Sequence, residues 1–334
     1  MAGILYLMCL ARIQTGGTQA IHQLAHVLRG LGHDARIVYF DMPAAMELEN
    51  APALAGMTRL AVARPFDAIP ADAMPADYRV YDTVGDTVID DAPEHAFIVP
   101  ESFPGLLRFG RRLQKYLWWL SLNNLGESLN RLGGFAGLKT AGIEHLVQSA
   151  YVEHYLVGQG LSPLHRLFDF TDPIFLEPAA DGPRRDRVLY NPRKGAPFVA
   201  RLIEASPELD WVPISGLAPR QVRDLLRSAK VYVDFGPHPG KDRIPREAAA
   251  SGCCVITGRR GAAAHHPDLP IADGYKFADT PEAIPAITGL IRDCLEHFER
   301  HAPRFDRYRR VIRTERAEFE QQVLRIFGTG QPPG

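Results

Sequence analysis

The order of the first forty residues restricts this chain more than any other feature. Residues 4–11 are an unbroken apolar run, Gln14-Thr-Gly-Gly-Thr18 interrupts it, and Ile21, Leu24, Ala25, Val27, Leu28 and Leu31 then recur at helical spacing. Gly32 stops that pattern, and a second apolar run follows at 35–40. Alternation marks a strand with one wet face, whereas a continuous run marks one covered on both faces, as in a parallel sheet. Strand, helix and strand of this length make a parallel crossover. The expectation is therefore an α/β fold.

The same grammar recurs along the chain. Residues 96–99, 116–121 and 144–148 read as strands, with helical patterns over 106–113 and from 152 to 157. Residues 43–77 are rich in Ala, Pro and Met without a clean period, and suit a helix plus a long loop. Residues 161–186 hold Pro163, Pro173 and Pro178 and the polar stretch 180–187, and read as a linker. A second series follows, with strands at 188–190, 211–214, 230–235 and 253–257 and helices at 197–205, 218–229, 245–250 and 281–298. A long charged helix over 307–327 puts Phe305, Tyr308, Ile312, Phe319, Val323 and Phe327 roughly on one face. The tail 328–334 has the composition of a frayed end. The expected domains are 1–165 and 187–300, joined by a linker at 166–186, with a helix at 301–328 crossing back toward the first domain.

Charge and cysteine usage exclude other classes. The 334 residues are enough for about two domains. Lys and Arg number 38 against 39 Asp and Glu, a net charge of -1, so no basic footprint points to nucleic acid. Cys9, Cys253, Cys254 and Cys294 lack the paired spacing of a zinc site. Adjacent Cys253 and Cys254 sit in an apolar run and read as small core residues. No apolar stretch approaches the roughly 18–20 residues of a membrane span. The composition fits a cytoplasmic protein with at most peripheral membrane contact.

Ligands bind at the carboxyl ends of parallel strands, so the loops there carry the functional reading. Gly16, Gly17 and Thr18 open a helix whose N-terminal amides suit an anion, or form no more than a tight turn. Asn191, Lys194 and Gly195 follow the strand at 188–190. The richest loop is Asp234-Phe-Gly-Pro-His-Pro-Gly-Lys-Asp-Arg-Ile-Pro-Arg-Glu-Ala248. There Lys241 and Arg243 at a helix start suit a phosphate or diphosphate, and Glu247 suits a ribose diol. A surface salt-bridge cluster is the plain alternative. Gly261 lies in the basic loop that follows the next strand. Glu101 and the Trp118-Trp119 pair follow strands of the first domain; Trp faces stack on sugars, though core packing is their commoner role. His238 is carried with Glu101 as a catalytic candidate.

These motifs together resemble a GT-B fold glycosyltransferase, most like the family 4 group. Gln14-Thr-Gly-Gly-Thr18 is similar to the family's glycine-rich loop, Lys194-Gly195 to its phosphate-binding Lys-Gly, and the run from Glu247 to Thr257 to its Glu-Ala-x-Ala-x-Gly-x-Pro-Val-Val segment, whose Glu binds ribose. The chain departs from the pattern in four places, one being the loop 238–243, which is not the family's Glu-Gly-Phe-Gly. Pro239 stands where the family has a second Glu, Cys254 replaces a proline, and Tyr190 and Asn191 occupy the stretch of an absent arginine. In such a branch Lys241 and Arg243 take over part of the phosphate binding.

The resemblance implies two Rossmann-like domains facing each other across a cleft. It implies transfer of a sugar from a nucleotide-sugar donor to the hydroxyl of a carbohydrate or lipid-linked acceptor, as in surface polysaccharide or glycoconjugate synthesis. The nucleotide-sugar is a substrate, so no cofactor and no metal are expected. Glu101 is the candidate base for an inverting reaction. Two alternatives stay open: a nucleotide-sugar 2-epimerase of the same fold, and a non-catalytic nucleotide-binding partner. A nicotinamide-dependent dehydrogenase is disfavoured, because no GxGxxG with a later ribose-binding acid follows either first strand.

Overall fold

The structure is a computed structural model that describes residues 3–61, 72–124, 127–178 and 182–330. Parts of three expectations, at 62–71, 179–181 and 331–334, lie outside the described residues. The chain divides into two compact units, one of Met1–Asp169 with Ala317–Gly334 and one of Phe170–Arg316.

The first unit contains β1 (Ile4–Leu10), β2 (Asp34–Phe40), β3 (Arg59–Ala61), β4 (Val84–Asp86), β5 (Val88–Asp90), β6 (Ala96–Pro100), β7 (Gln114–Trp119), β8 (Ile143–Val147) and β9 (Leu164–Arg166). Its helices are α1 (Gly16–Gly30), α2 (Met42–Asn50), α3 (Gly134–Leu138) and α4 (Ala150–Gly158). β3 and β5 pair antiparallel; the other seven strands form one parallel sheet in the order β4-β2-β1-β6-β7-β8-β9. Leu5–Cys9 are buried on both faces of β1, which is why that run is continuous rather than alternating. The strand order reverses between β1 and β6, and the crevice beyond their carboxyl ends is the natural ligand position of such a sheet.

The second unit contains β10 (Arg185–Tyr190), β11 (Asp210–Pro213), β12 (Ala229–Asp234) and β13 (Cys254–Thr257), all parallel, in the order β11-β10-β12-β13. Its helices are α5 (Ala196–Glu204), α6 (Pro219–Ser228), α7 (Arg243–Ala250), α8 (Ile284–Glu296), α9 (Phe298–His301) and the start of α10 (Asp306–Phe327). Here the order reverses between β10 and β12. Residues 306–316 of α10 belong to this unit and 317–327 to the first. Phe305, Tyr308, Ile312, Phe319, Val323 and Phe327, expected on one face, are all buried. All four cysteines are free and buried.

The structure differs from two expectations, at residues 106–113 and in the tail. Residues 106–113 are not a helix. A short 3-10 turn at Pro104–Arg108 ends before Gly110, whose φ is 67°. The Asp91 carboxylate then accepts from the backbone N–H groups of Arg111, Arg112 and Leu113 at 2.9, 2.7 and 3.0 Å, which takes the place of helical bonds. Residues 161–186 hold β9, paired parallel to β8, and the division between the two units falls between Asp169 and Phe170. Within the tail, Gly330 donates to the Leu31 carbonyl at 2.9 Å and His33 bonds the Gly328 carbonyl at 3.0 Å, so 328–330 are docked. Trp118 and Trp119 take the core role: both are fully buried, their indoles donating to the Leu167 carbonyl and to His145.

Candidate functional site

In the first unit the crevice beyond β1 and β6 is a cavity of about 680 Å³. Gly17 and Thr18 line it from the start of α1. Thr15 caps that helix: its hydroxyl accepts from the Thr18 amide at 3.2 Å, and the Thr18 hydroxyl accepts from the Thr15 amide at 2.9 Å. Thr18 is a capping residue, while the Gly16 and Gly17 amides occupy the first turn, where no intrahelical acceptor exists.

Glu101 also lines the cavity and is 1% exposed. It accepts from the Leu120 amide at 3.0 Å, the Ser121 hydroxyl at 2.8 Å and the Asn124 amide group at 3.2 Å. Burial raises its carboxyl above the ordinary glutamate value, against the pull of Ser121 and the Leu120 amide. A second buried carboxylate, Glu49 at the end of α2, accepts from the Gly105 amide at 2.9 Å, from Ser128 and from Arg131 at 3.3 Å. Burial raises this carboxyl too. Glu49 carried no sequence signal, because its partners are supplied by distant turns.

In the second unit the loops after β10, β12 and β13 converge. Gly195 has φ 61°, and a Cβ there would lie 2.0 Å from the Phe235 carbonyl oxygen; Gly261 has φ 58°, and its Cβ would lie 2.0 Å from the His238 carbonyl oxygen. Glycine is what lets these three loops touch. Gly195→Ala is expected to destabilise the second unit by about 1–3 kcal/mol through overpacking, read as a lower denaturant midpoint; an unchanged midpoint would show that the loops part readily.

Lys194 stands at the centre. Its ammonium lies 3.1 Å from Asp234, 3.1 Å from His238 Nδ1 and in contact with Asp242. Burial works against its charge, but Asp234 and Asp242 outweigh that and hold its pKa above the ordinary lysine value. His238 is 2% exposed, with Nδ1 2.6 Å from Asp242 and Nε2 3.7 Å from Asp234. Burial alone would raise the Asp242 carboxyl; His238 and Lys194 reverse this and hold it below the usual aspartate value. Asp242 occupies the N-cap of α7, yet its side chain makes no cap bond there. Its carboxylate is turned to Lys194 and His238, so the first-turn amides of α7 lack the acceptor an N-cap aspartate ordinarily supplies.

The structure thus brings Lys194, His238 and the Gly261 loop together, with Asn191 in the loop of Lys194 and Arg243 next to Asp242 in sequence. Asn191 accepts from the Arg193 amide at 3.0 Å and shapes the loop. Arg243 and Glu247, half-buried and four residues apart, share a face of α7. Arg260 in the basic loop pairs with Asp279 at 2.6 Å, and Asp279 accepts from the Gly236 amide at 3.0 Å. Lys241 is placed differently from the expectation. It is buried, 3.0 Å from Glu315 on α10, in a network with Arg246. Asp234 and Asp242 stand in the motif but carried no assigned role, and nothing local in the sequence marks Glu315 as the partner of Lys241 and Arg246.

No family model and no curated protein matches the sequence. Solved structures do. The Anabaena protein HepE in complex with UDP is 13% identical, covers 97% of this chain and 98% of its own, and superposes with a TM-score of 0.61. The chain has the GT-B fold. WaaG, a glycosyltransferase involved in lipopolysaccharide biosynthesis, is 12% identical, with 97% and 100% covered and a TM-score of 0.60. TarM is 13% identical with a TM-score of 0.54; the match covers 72% of this chain, which spans 56% of TarM. The expected two Rossmann-like domains correspond to the two parallel-sheet units described above. Among the described residues, no helix is long and apolar enough to cross a membrane.

Proposed function

We propose that the protein is a glycosyltransferase that moves a sugar from a nucleotide-sugar donor to an acceptor hydroxyl. The donor is assigned to the second unit, at the reversal between β10 and β12, and the acceptor to the cavity of the first. The observation that carries this reading is Lys194, a cation held at the carboxyl end of a parallel strand beside a helix N-terminus that lacks its side-chain cap. Departure of the sugar builds negative charge on the diphosphate. A preplaced cation and the positive end of α7 stabilise that charge most in the transition state, which lowers the barrier.

Asp234, Asp242 and His238 are positioning residues in this scheme. They fix the ammonium before the donor arrives, so little reorganisation accompanies the reaction. Glu247 takes the ribose diol, and Arg243 and the Gly261 loop flank the phosphates. Lys241 acts indirectly, by tying its loop to α10 through Glu315. The reaction is assigned as metal-independent, because Lys194 and the helix amides supply charge where a metal otherwise would. Glu101 receives the acceptor proton; its raised pKa makes it a stronger base than an exposed glutamate. Surface polysaccharide or glycoconjugate synthesis in the cytoplasm is the proposed setting.

The test is a titration of nucleoside diphosphates and their sugars, followed by thermal shift with and without Mg²⁺. A ligand at 100 times its dissociation constant stabilises by about 2.7 kcal/mol. Lys194→Ala is expected to weaken that binding roughly ten- to a hundredfold, the value of a hydrogen bond to a charged group. Binding of none of these ligands to the wild-type protein overturns the reading. Turnover of donor without acceptor points to the epimerase, and binding without any turnover to the non-catalytic partner.

A further inference from the structure

We infer that the group seated in the first unit's cavity is an aliphatic chain, so that the acceptor is an amphiphile rather than a free sugar. This rests on the glycosyltransferase reading only in naming the occupant as the acceptor. The inference comes from which chemistry the walls have left to offer.

The protein itself engages most of the polar side chains that line the cavity, and Ser102 and the Gly17 amide are what remains for a small polar head group. Glu49 accepts from the Gly105 amide, Ser128 and Arg131. The Thr18 hydroxyl donates to the Ile13 carbonyl and accepts in the α1 capping box. Glu101 already accepts three hydrogen bonds. A carboxylate offers about four acceptor positions, so Glu101 has room for one hydroxyl but not for the several of a sugar ring. A polyhydroxylated ring seated here would lose water from most of its hydroxyls and recover few bonds, at a cost of about 1–3 kcal/mol for each group left unpaired.

The apolar side chains show the opposite pattern. Ile13, Met42 and Met46 remain 39%, 45% and 54% exposed, and all three line this cavity. Met8, Leu10 and Leu120 continue the surface inward. Exposed apolar groups gathered at one concave site mark a ligand surface rather than chance. The volume, about 680 Å³, falls within the usual range of ligand pockets. The walls are branched aliphatics and flexible thioethers, with Phe103 the aromatic in the lining. Methionine repacks around irregular shapes, which suits a flexible alkyl chain better than a flat ring.

The experiment titrates the full chain with straight-chain 1-alkanols from butanol to nonanol by calorimetry. UDP binding is measured on the same samples. Burial of each added methylene is expected to tighten binding about fourfold, until the cavity is full. Met46→Asp and the pair Met42→Asp with Met46→Asp lie at exposed positions, so the fold should persist, as an unchanged melting temperature will show. These variants are expected to lose the chain-length dependence while keeping UDP binding. A flat series in the wild-type protein, or an unchanged dependence in the double variant, overturns the inference. Failure of every nucleoside diphosphate, UDP included, to bind, with the chain-length dependence intact, overturns the glycosyltransferase reading instead.

Discussion

Glu315→Gln is expected to lower the stability of the second unit by about 3–5 kcal/mol, the usual result of removing one partner from a buried ion pair. Glu315 is 4% exposed. One carboxylate oxygen accepts from the Thr171 amide at 2.9 Å, the Thr171 hydroxyl at 2.8 Å and Arg246 at 3.1 Å, and the other lies 3.0 Å from the Lys241 ammonium. Arg246 is fully buried and Lys241 nearly so. Glutamine keeps the shape and strips the charge, so two buried cations face a neutral amide. Arg246, fully buried, does not reach water without opening the loop.

That loop also carries Asp242, since Arg246 donates to the carbonyls of Lys241 and Asp242 at 3.1 and 3.2 Å. Weaker nucleotide binding should therefore accompany the lost stability. Denaturant unfolding checks this, with exposed Glu318→Gln as the control on the same helix. A shift below about 1 kcal/mol, typical of a surface pair, would show that the cations find other partners and that the network is not what holds the loop.

Acid is expected to unfold the first unit well before its carboxylates are all protonated. His22 and His145 are 0% exposed, and burial pushes the pKa of each down to about 4. Their hydrogen bonds need the neutral ring. His22 Nδ1 bonds the Thr18 carbonyl at 2.7 Å, which makes it the donor, and leaves Nε2 to accept from the Tyr39 hydroxyl at 3.0 Å. His145 Nδ1 accepts from the Trp119 indole at 3.1 Å. An unfolded histidine titrates near 6.5. A folded pKa below the unfolded one gives stability that is complete above about pH 6.5 and is lost as pH falls toward and through the folded value.

The loss by pH 4 is on the order of 3 kcal/mol for each histidine. Glu49 and Glu101 work the other way, since their raised pKa values favour folding most at low pH and lose that benefit as pH rises through them. The histidine contribution is therefore read as the difference between wild type and His22→Gln or His145→Gln, from pH 7.5 to 4. Parallel curves across that range would sink it.

Much of the fold was legible because the evidence for it is local. A strand covered on both faces must be apolar at every position, and a helix beside it must repeat its apolar residues every three to four. That is why the runs at 4–11 and 35–40, and the strands of the second unit, lie within one to three residues of their observed ends. The loops of the candidate site were legible for the same reason. They follow strand ends, and their glycines and cations stand next to each other in sequence. The helix expected over 106–113 failed because its leucines satisfy the burial pattern without helical bonds, once Asp91 has taken the amides of residues 111–113.

The sequence by itself determined which residues are apolar, where the chain must turn and which loops hold charge, because each of these follows from neighbours a few positions away. Only the tertiary structure decided what each charge does. Lys194 and Lys241 look alike in the sequence. One is held by two aspartates beside a helix end, and the other is bound to Glu315 on the last helix. The adjacent tryptophans, equally suited to a sugar by composition, are both buried by the strands and loops around them. A cation's role depends on which carboxylate the fold brings within 3–4 Å, and an aromatic's on what covers it, and both are set by segments far apart in the chain.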